Sequence, residues 1–279
     1  MDTVLAIGVL IGIATSILAN ELCGWVSFVA HRLIRHLAKE LPAELSSRME
    51  EEWLGEVQDR PSTGRLWFAL ALLNAVRQIR REHGLPPLSF ESTARVRDLV
   101  LAGMGLVFSA PMWVLFAVAI KLEDGGPVFY GEPRVGRKGR LFWSWKFRSI
   151  VLDSGCRFDD APRITRIGRI LRATAIDELP QLWNIFKGDM SFVGPRALLQ
   201  TEIEVNRNGE ATPIEAIPGY QERHQVRPGL TGVAQVYAPR DIPRRYKFRY
   251  DLAYIRNRNF WLDLKIIALS FWITFRGKW

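Results

Sequence analysis

Cysteine is scarce in this 279-residue chain, and its scarcity removes two kinds of site. The two cysteines, Cys23 and Cys156, lie far apart and form no C-x-x-C pair. The pattern therefore supports neither a disulfide framework nor a zinc site. Both cysteines are expected to behave as small buried hydrophobic residues.

The amino terminus lacks the basic segment that begins a secretory signal peptide, since its only charged side chain is Asp2. Residues 3–19 carry no charge over 17 positions, which is the lower end of what spans a bilayer. A retained transmembrane helix is therefore favoured over a signal peptide. Arg32, Arg35 and Lys39 follow this run, so the positive-inside rule places the rest of the chain in the cytoplasm.

A second uncharged run, Leu99–Ile120, is 22 residues long and has basic residues on both flanks, whereas a true span has asymmetric flanks. Pro111 near its middle removes a backbone hydrogen bond, and Ser109 could cap a freed group. Two interpretations stay open. One is a re-entrant membrane helix over residues 98–121 that bends at Ser109 and Pro111 and returns to the same face, and the other is an ordinary proline-kinked span.

Positive charge is concentrated rather than evenly spread. The formal net charge is +9, and the segment from Glu132 to Arg172 holds 11 Lys or Arg against 4 Asp or Glu. Such a patch attracts nucleic acid, an anionic membrane surface or phosphorylated small molecules. Residues 125–150 alternate aromatic and basic side chains around a turn at 136–139, which predicts a β-hairpin. A hairpin of this composition could bind single-stranded nucleic acid or lie at the lipid headgroups.

The remaining pattern divides the chain into two predicted domains. Residues 1–90 form an extension with amphipathic helices and no catalytic constellation, interrupted by "DRPSTG" and ending at "GLPPLSF". Residues 91–279 form the second domain, whose last 19 residues are apolar, aromatic and basic and predict an interfacial helix.

The most informative stretch is "RITRIGRILRATAIDELPQLWNIFKGDMSFVGPR", residues 163–196. Its arginines recur at every third position opposite isoleucines and a leucine, which predicts an amphipathic basic helix. No acid follows at i+4 to neutralise these cations, so an anion is expected nearby. The adjacent acids Asp177 and Glu178 could be a mere helix start with Thr174 as N-cap. Alternatively, the guanidinium groups keep both acids ionised, so that Asp177 attacks phosphorus while Glu178 holds the Mg²⁺ that a diphosphate requires.

Several motifs in one order resemble a known family. They are Arg97-Asp98, the broken helix with Pro111, "GPVFY…RVGRKG", "KFRSI", "LRATAIDELPQLWNIFKGDMSFVGPR", "RPGLTGVAQV" and "YDLAYIRNRNFWLDLKII". From about residue 95 to the carboxyl terminus the chain resembles the monotopic bacterial sugar transferases, which are polyprenyl-phosphate phosphoglycosyl transferases. The resemblance implies a membrane-associated α+β fold. A re-entrant broken helix, a β-hairpin and interfacial helices would surround a compact catalytic core, beyond an amino-terminal transmembrane helix.

The resemblance also implies site residues. Asp177 is expected to be the nucleophile, Glu178 to bind Mg²⁺, Arg172 to assist with phosphate and Asp251 to act at the site. The chain departs from the family pattern at Ala110, before the helix-breaking proline, and at other positions, none of which touches the acidic dyad.

Other candidates follow from the charge that a diphosphate brings. Arg172 and Arg196 would offset its repulsion by the carboxylates. Lys146 and Arg148 either line the same cleft or bind lipid headgroups. Arg227 and Thr231 flank a predicted type II turn and are candidates for contact with phosphate or sugar, although a purely structural turn fits Thr231 equally well.

The implied reaction transfers a sugar-1-phosphate from a nucleoside diphosphate sugar, with UDP as the favoured nucleotide, to polyprenyl (undecaprenyl) phosphate. It would proceed at the cytoplasmic face of the bacterial inner membrane, as the first membrane step of a glycoconjugate or exopolysaccharide. Membrane phospholipids are expected partners and nucleic acid is not. A homodimer is one option for the assembly. A non-catalytic lipid-binding module and a membrane-tethered nucleic-acid binder are rival interpretations, but neither gives the two acids a task.

Overall fold

The computed structural model describes residues 2–151, 163–205, 211–239 and 241–276, with side chains from residue 20 onward except that of Thr63. The chain forms two compact units, Met1–Val107 and Phe108–Trp279. The predicted boundary after residue 90 is a different division, because it lies at the first residue of the helix Phe90–Asp124, whereas the first unit ends at Val107. The division into domains 1–90 and 91–279 stays a prediction.

Helices build the first unit. They are α1 (Asp2–Ala38), α2 (Ala43–Gln58), α3 (Ser62–Glu82) and the first half of α4 (Phe90–Asp124). Helices α2 and α3 each begin directly after a proline. Proline suits a helix start because it has no N–H, and an N–H at this position would find no acceptor within the helix. The apolar faces of α1 and α3 pack together around Leu33, Ile34 and Val76. The predicted helices and the break at "DRPSTG" are confirmed.

Two predictions in this unit have different outcomes. Residues 3–19 are helical as part of α1, but their side chains lie outside the described part of the structure, so a transmembrane role stays a prediction. Cys23 is exposed, so the prediction that it is buried was wrong. Its sulfur accepts a hydrogen bond of 3.1 Å from the Ser62 hydroxyl. Cys156 lies outside the described residues.

Helix α4 carries the long apolar run. It is the one helix of the described residues long and apolar enough to cross a membrane, judged by length and composition. The assignment is continuous from Phe90 to Asp124 with Pro111 inside. Ser109 is buried, and its Oγ accepts a 3.0 Å bond from the Trp113 indole rather than serving only as a cap for the backbone. The re-entrant path stays a prediction.

The predicted β-hairpin is confirmed in the second unit. Strands β1 (Phe129–Val135) and β2 (Leu141–Phe147) pair antiparallel, from Phe129 opposite Phe147 to Val135 opposite Leu141. The short strand β4 (Leu198–Leu199) adds to the other edge of β1. Because successive strand residues face opposite sides, Ser144 and Lys146 share one face while Trp143 and Trp145 share the other.

Short elements complete the second unit. The helices are α5 (Arg166–Thr174), α6 (Gln181–Lys187), α7 (Tyr220–Arg223), α8 (Val233–Tyr237), α9 (Arg244–Asn257) and α10 (Phe260–Phe275), and the strands are β3 (Ser191–Val193), β5 (Ile203–Val205), β6 (Ala211–Pro213) and β7 (Gly229–Thr231). Strand β3 pairs with β7 in parallel, and β5 with β6 antiparallel. The mixed helix and strand content confirms the α+β part of the fold prediction, and α10 confirms the predicted terminal helix.

Packing joins the end of α4 to the hairpin and to α5. Ile120, Phe147 and Leu171 form a buried cluster, against which Trp113 and Phe116 pack. The Glu123 carboxylate also accepts hydrogen bonds from the first two amides of α5, Arg166 and Ile167, at 2.5 and 3.1 Å. Amides at a helix start lack partners within the helix, so this carboxylate holds α5 in place.

Candidate active site

A cleft of about 530 Å³ lies beside the face of the hairpin that carries Ser144 and Lys146, which is called its inner face. Its walls come from β1 and β2, the end of α5 and the turn after it, the chain around Arg196, and β7. The lining side chains include Tyr130, Glu132, Arg134, Ser144, Lys146, Arg148, Ser149, Arg172, Asp177, Glu178, Gln181, Met190, Arg196 and Gln235. Six of the residues predicted from the sequence therefore share one cavity.

A left-handed residue places the two acids. Helix α5 ends at Thr174, and Ala175 follows with φ of 56°, an uncommon conformation for a residue with a Cβ. A 3-10 turn then carries Asp177 and Glu178 into the cleft. Because the Thr174 hydroxyl donates to the Ile170 carbonyl at 2.8 Å, Thr174 ends α5, and the alternative that it caps a new helix is wrong.

Asp177 is half-buried and its carboxyl group is available. No other residue in the described part of the chain donates a hydrogen bond to it. Burial raises the pKa of the Asp177 carboxyl above its usual 3.8. The positive charge of Lys146 lowers this pKa, the negative charge of Glu178 raises it, and Arg172 lowers it. The acid thus sits where cations counteract the cost of keeping it ionised.

Glu178 has a cation of its own. Its Oε1 lies 2.5 Å from the Lys146 Nζ, and both side chains are partly exposed in the cleft. Lys146 comes from β2, so this ion pair joins the inner face of the hairpin to the turn after α5. A lysine here neutralises one acid while leaving the neighbouring carboxyl of Asp177 without a direct partner.

Arg172 is oriented by a hydrogen bond from its Nε to Ser149. Its Nε donates to the Ser149 Oγ at 2.9 Å, while its terminal nitrogens have no hydrogen-bond partner among the described residues. Helix α5 approaches Ser149 closely at Gly168, where a Cβ would stand 2.2 Å from the Ser149 carbonyl oxygen. Glycine is therefore required for the close packing that brings Arg172 to the cleft. The helix begins after Thr165, whose hydroxyl accepts from the Gly168 amide, three residues later than the repeat at Arg163 suggested.

Arg148 also lines the cleft, but it is buried and paired with Asp124 at the end of α4. Gly126 makes room for it, since a Cβ there would collide with the guanidinium group. Lys146 and Arg148 both line the cleft, and the choice between substrate and lipid headgroups as their ligand stays open. Whether either binds substrate stays a prediction.

Arg196 is exposed and also lines the cleft. Desolvation by the surrounding protein lowers the pKa of its guanidinium group, Glu178 raises it, and Arg134 lowers it. An arginine stays protonated at neutral pH despite such shifts. Arg172 and Arg196 therefore present positive charge to the same cavity as the two carboxylates.

Three predicted residues lie apart from the cleft lining. Asp251 is buried and paired with Arg223 at 3.0 Å. Thr231 is buried, and its hydroxyl shares a hydrogen bond with Ser270 of α10. Arg227 is partly buried and has interactions of its own. The structure does not bring these three to the dyad, and a direct role in substrate binding stays a prediction for each.

Sequence reasoning missed other residues of the cleft. Arg134 donates to the Ala197 carbonyl and is paired with Glu132 at 2.5 Å. Ser149 orients Arg172, and the buried Gln235 Oε1 has no hydrogen-bond partner among the residues that the structure describes. The alternation of the hairpin could have indicated Glu132 and Arg134. Glu132 lies opposite Ser144, and alternate residues of a strand face the same side, so both lie on the face that carries Lys146.

The cleft offers two adjacent carboxylates, Asp177 and Glu178, as candidate ligands for Mg²⁺. The described residues contain no cluster of three or more His, Cys, Asp or Glu side chains suited to a metal. Mg²⁺ is commonly held by one or two carboxylates together with substrate phosphates and water. Two adjacent carboxylates in a cleft lined by arginines fit that pattern, with Glu178 as the ligand and Lys146 as its present counter-ion.

Comparison with known proteins shows which family this chain is similar to. A family model described as "Bacterial sugar transferase" matches residues 90–277. The undecaprenyl-phosphate glucose phosphotransferase of Komagataeibacter xylinus is 42% identical over 191 residues, covering 63% of this chain and 34% of that protein. A UDP-glucose:undecaprenyl-phosphate glucose-1-phosphate transferase of Klebsiella pneumoniae is 37% identical over 194 residues, covering 66% and 40%.

A further relative covers more of both chains. The UDP-glucose:undecaprenyl-phosphate glucose-1-phosphate transferase of Caulobacter vibrioides is 36% identical over 229 residues, which is 77% of this chain and 79% of that protein. By contrast, this chain spans less than half the length of the Komagataeibacter and Klebsiella proteins. The resemblance seen in the motifs is confirmed.

Proposed function

Because this chain belongs to the bacterial sugar transferase family, whose members are transferases, we propose that it transfers a sugar-1-phosphate from a UDP-sugar to undecaprenyl phosphate. The relatives' names supply the substrate classes, and the cleft supplies the groups that such a reaction needs. The products would be a polyprenyl diphosphate sugar and UMP.

The observation that carries the proposal is the placement of Asp177. Its carboxyl group lines the cleft without a hydrogen bond from any other described residue, next to the neutralised Glu178, and Arg172 and Arg196 line the same cavity. A carboxylate approaching a phosphate meets a repulsion of about 4 kcal/mol per charge pair at 4 Å for an effective dielectric constant of 20. Arg172 and Arg196 offset this repulsion on the substrate side.

In the first half of the reaction, an Asp177 carboxylate oxygen attacks the phosphorus that carries the sugar. An O–P bond forms to Asp177, and the bridging P–O bond to the nucleoside monophosphate breaks. The electron pair of that bond leaves with UMP. Positive groups already in place stabilise the charge that develops on the phosphoryl oxygens.

In the second half, a phosphate oxygen of the lipid attacks the same phosphorus. The bond to Asp177 breaks, and the carboxylate is regenerated without any proton or electron being lost. The two anionic substrates thus meet the site one after the other, which avoids crowding all their charges together. Ping-pong kinetics follow.

Glu178 would hold Mg²⁺, which when bound supplies positive charge to the diphosphate. Lys146, which is partly exposed in the cleft, would contact a donor oxygen, because a lysine ammonium is a mobile point charge. Arg172, with its Nε fixed on Ser149, keeps its outer nitrogens for phosphate.

The membrane placement is part of the same proposal. Half of α4 and the helix α10 expose large apolar side chains, including Phe108, Leu122, Trp261 and Phe275. Such surfaces suit the interface of a bilayer, where a lipid phosphate is available. We place the cleft at the cytoplasmic face of the bacterial inner membrane, where membrane phospholipids would contact these surfaces, and a homodimer is compatible with this placement.

Trapping tests the covalent step. Purified protein is mixed with UDP-sugars and Mg²⁺ in the absence of lipid acceptor, and we expect one UMP per active site and a sugar-phosphate adduct on the Asp177 peptide by mass spectrometry. Asp177→Asn should give neither product, whereas Asp59→Asn, the same change at the exposed end of α2, should give both. UMP release that requires the acceptor, with no adduct at any time, would show direct transfer instead.

A further inference from the structure

We propose that Arg223 and Asp251 form a buried positioning pair that fixes Arg196 in the cleft without touching the substrate. The inference rests on the proposed function in one respect, namely that Arg196 binds a phosphate of the donor. It assigns a task to Arg223, which the sequence did not single out, and an indirect task to Asp251.

The pair is enclosed and closely bonded. The side chains of Arg223 and Asp251 are 1% and 4% exposed. The Arg223 Nε and Nη2 donate to the same Asp251 oxygen, Oδ2, at 3.2 and 3.0 Å. The guanidinium carbon lies 4.5 Å from the centre of the Phe248 ring, which packs in the core beside Leu198. Asp251 thus fixes the rotation of the Arg223 fork.

The same Nη2 also reaches the backbone of Arg196. Arg223 Nη2 donates to the Arg196 carbonyl oxygen at 2.8 Å. The carbonyls on either side are held as well, Pro195 by the Gly229 amide at 2.9 Å and Ala197 by Arg134. Three successive carbonyls therefore each accept a hydrogen bond from a different part of the chain, and Arg196 is the central residue of this segment.

The position of the pair argues against direct contact with substrate. Neither Arg223 nor Asp251 lines the cleft, whereas Arg196 does. A buried ion pair contributes little net stability, because desolvation of two charges opposes their attraction. Well-packed apolar residues commonly give the same stability, but they cannot donate to a carbonyl. A planar guanidinium group that donates to both the Asp251 carboxylate and the Arg196 carbonyl therefore points to orientation of the segment that carries Arg196.

A double-mutant cycle tests this inference, with binding of pyrophosphate in the presence of Mg²⁺ as the readout. The full chain is used in detergent, and the dissociation constant is measured by calorimetry. Arg196→Ala should weaken binding tenfold or more, as expected for a charged hydrogen bond. Arg223→Met combined with Asp251→Leu removes the pair without leaving a buried charge, so the unfolding midpoint should stay close to that of the wild type.

This combined replacement should weaken pyrophosphate binding about three- to tenfold when Arg196 is present and less than twofold in the Arg196→Ala background. Arg249→Met, which removes an exposed arginine from the same helix as Asp251, serves as the control and should change binding less than twofold. Equal weakening in both backgrounds, or none with Arg196 present, would overturn the inference. Should the combined variant fail to fold, Arg223→Lys, which keeps the buried charge pair but not the planar fork, enters the same cycle with the same expectations.

The proposed function can fail separately. Pyrophosphate binding requires no turnover, so the cycle reports on Arg196 even when no UDP-sugar releases UMP. In that case the reaction would be wrong while the positioning pair stands. If UMP is released normally but the effects of the pair and of Arg196 are additive, only the positioning pair is wrong.

Discussion

The substitution Gly168→Ala tests how closely α5 must approach the hairpin. An added Cβ would lie 2.2 Å from the Ser149 carbonyl oxygen and 2.8 Å from its carbonyl carbon and Cα, whereas ordinary contacts begin at 3.4 Å. The obstacle is backbone, so no side chain can rotate away. The helix must recede by roughly 1 Å, which strains the 3.1 Å bond from the Thr165 amide to the same oxygen and the bond from Arg172 to the Ser149 hydroxyl.

Two magnitudes follow from this displacement. Overpacking of this kind costs about 1–3 kcal/mol, and alanine recovers about 1 kcal/mol through its higher helix propensity, so the free energy of unfolding should fall by about 0–2 kcal/mol. Misplacing a phosphate-binding arginine by about 1 Å can cost about 100-fold in rate. We therefore expect kcat/KM for the donor to fall far more than the loss of stability explains.

The assay compares UMP release with thermal unfolding for two glycine variants. Gly55→Ala in α2 is the matched control, because its Cβ would meet nothing within 4 Å and should stabilise the helix by up to about 1 kcal/mol. If Gly168→Ala unfolded at the wild-type midpoint and turned over the donor at the wild-type rate, the close approach of α5 would be refuted.

Further predictions concern ionisation and backbone strain. Asp177 must be ionised to attack, so turnover should fall as the pH drops through its raised pKa. Because Lys146 lowers this pKa and Glu178 raises it, Lys146→Met should move the acid limb of the pH–rate profile to higher pH and Glu178→Gln should move it to lower pH. The pH dependence of the residual activity of each variant measures these shifts. Ala175→Gly should raise the free energy of unfolding by about 0.5–1 kcal/mol in a denaturant titration, because glycine adopts a positive φ without strain. Burial and then Arg223 lower the pKa of His224 from 6.5 to about 4, so its neutral form stabilises the fold above pH 6.5. As the pH falls from 6.5 through about 4, roughly 3 kcal/mol should be lost, and unfolding midpoints of His224→Leu should lack this component.

The sequence predicted those features that depend on neighbours along the chain. The alternation of residues 129–147 was enough for the hairpin, because side-chain parity in a strand is local. The position of the dyad followed from its motif. The end of α5 did not, because the left-handed Ala175 that separates the helix from the acids carries no glycine to mark it.

Such local patterns did not predict contacts between side chains that are far apart in the sequence. Arg172 bonds to Ser149, and Asp251 is enclosed with Arg223, although nothing in the spacing of these residues indicates contact. Burial decided the outcome for Thr231, whose hydroxyl turns to Ser270 instead of the cleft. Local periodicity reports which face of an element is apolar, but not which distant side chain will meet it.

The two-faced hairpin constrains insertions and deletions more than it constrains the choice of residues. Lys146 faces the cleft while Trp145 and Trp143 stand on the outer face, over the space left by Gly131. A register shift of a single residue in β2 would exchange the two faces, so that an indole would point toward Glu178 and a lysine would point outward. The number of residues between the turn at 136–139 and Lys146 therefore has to be kept, even where the side chains of the outer face change.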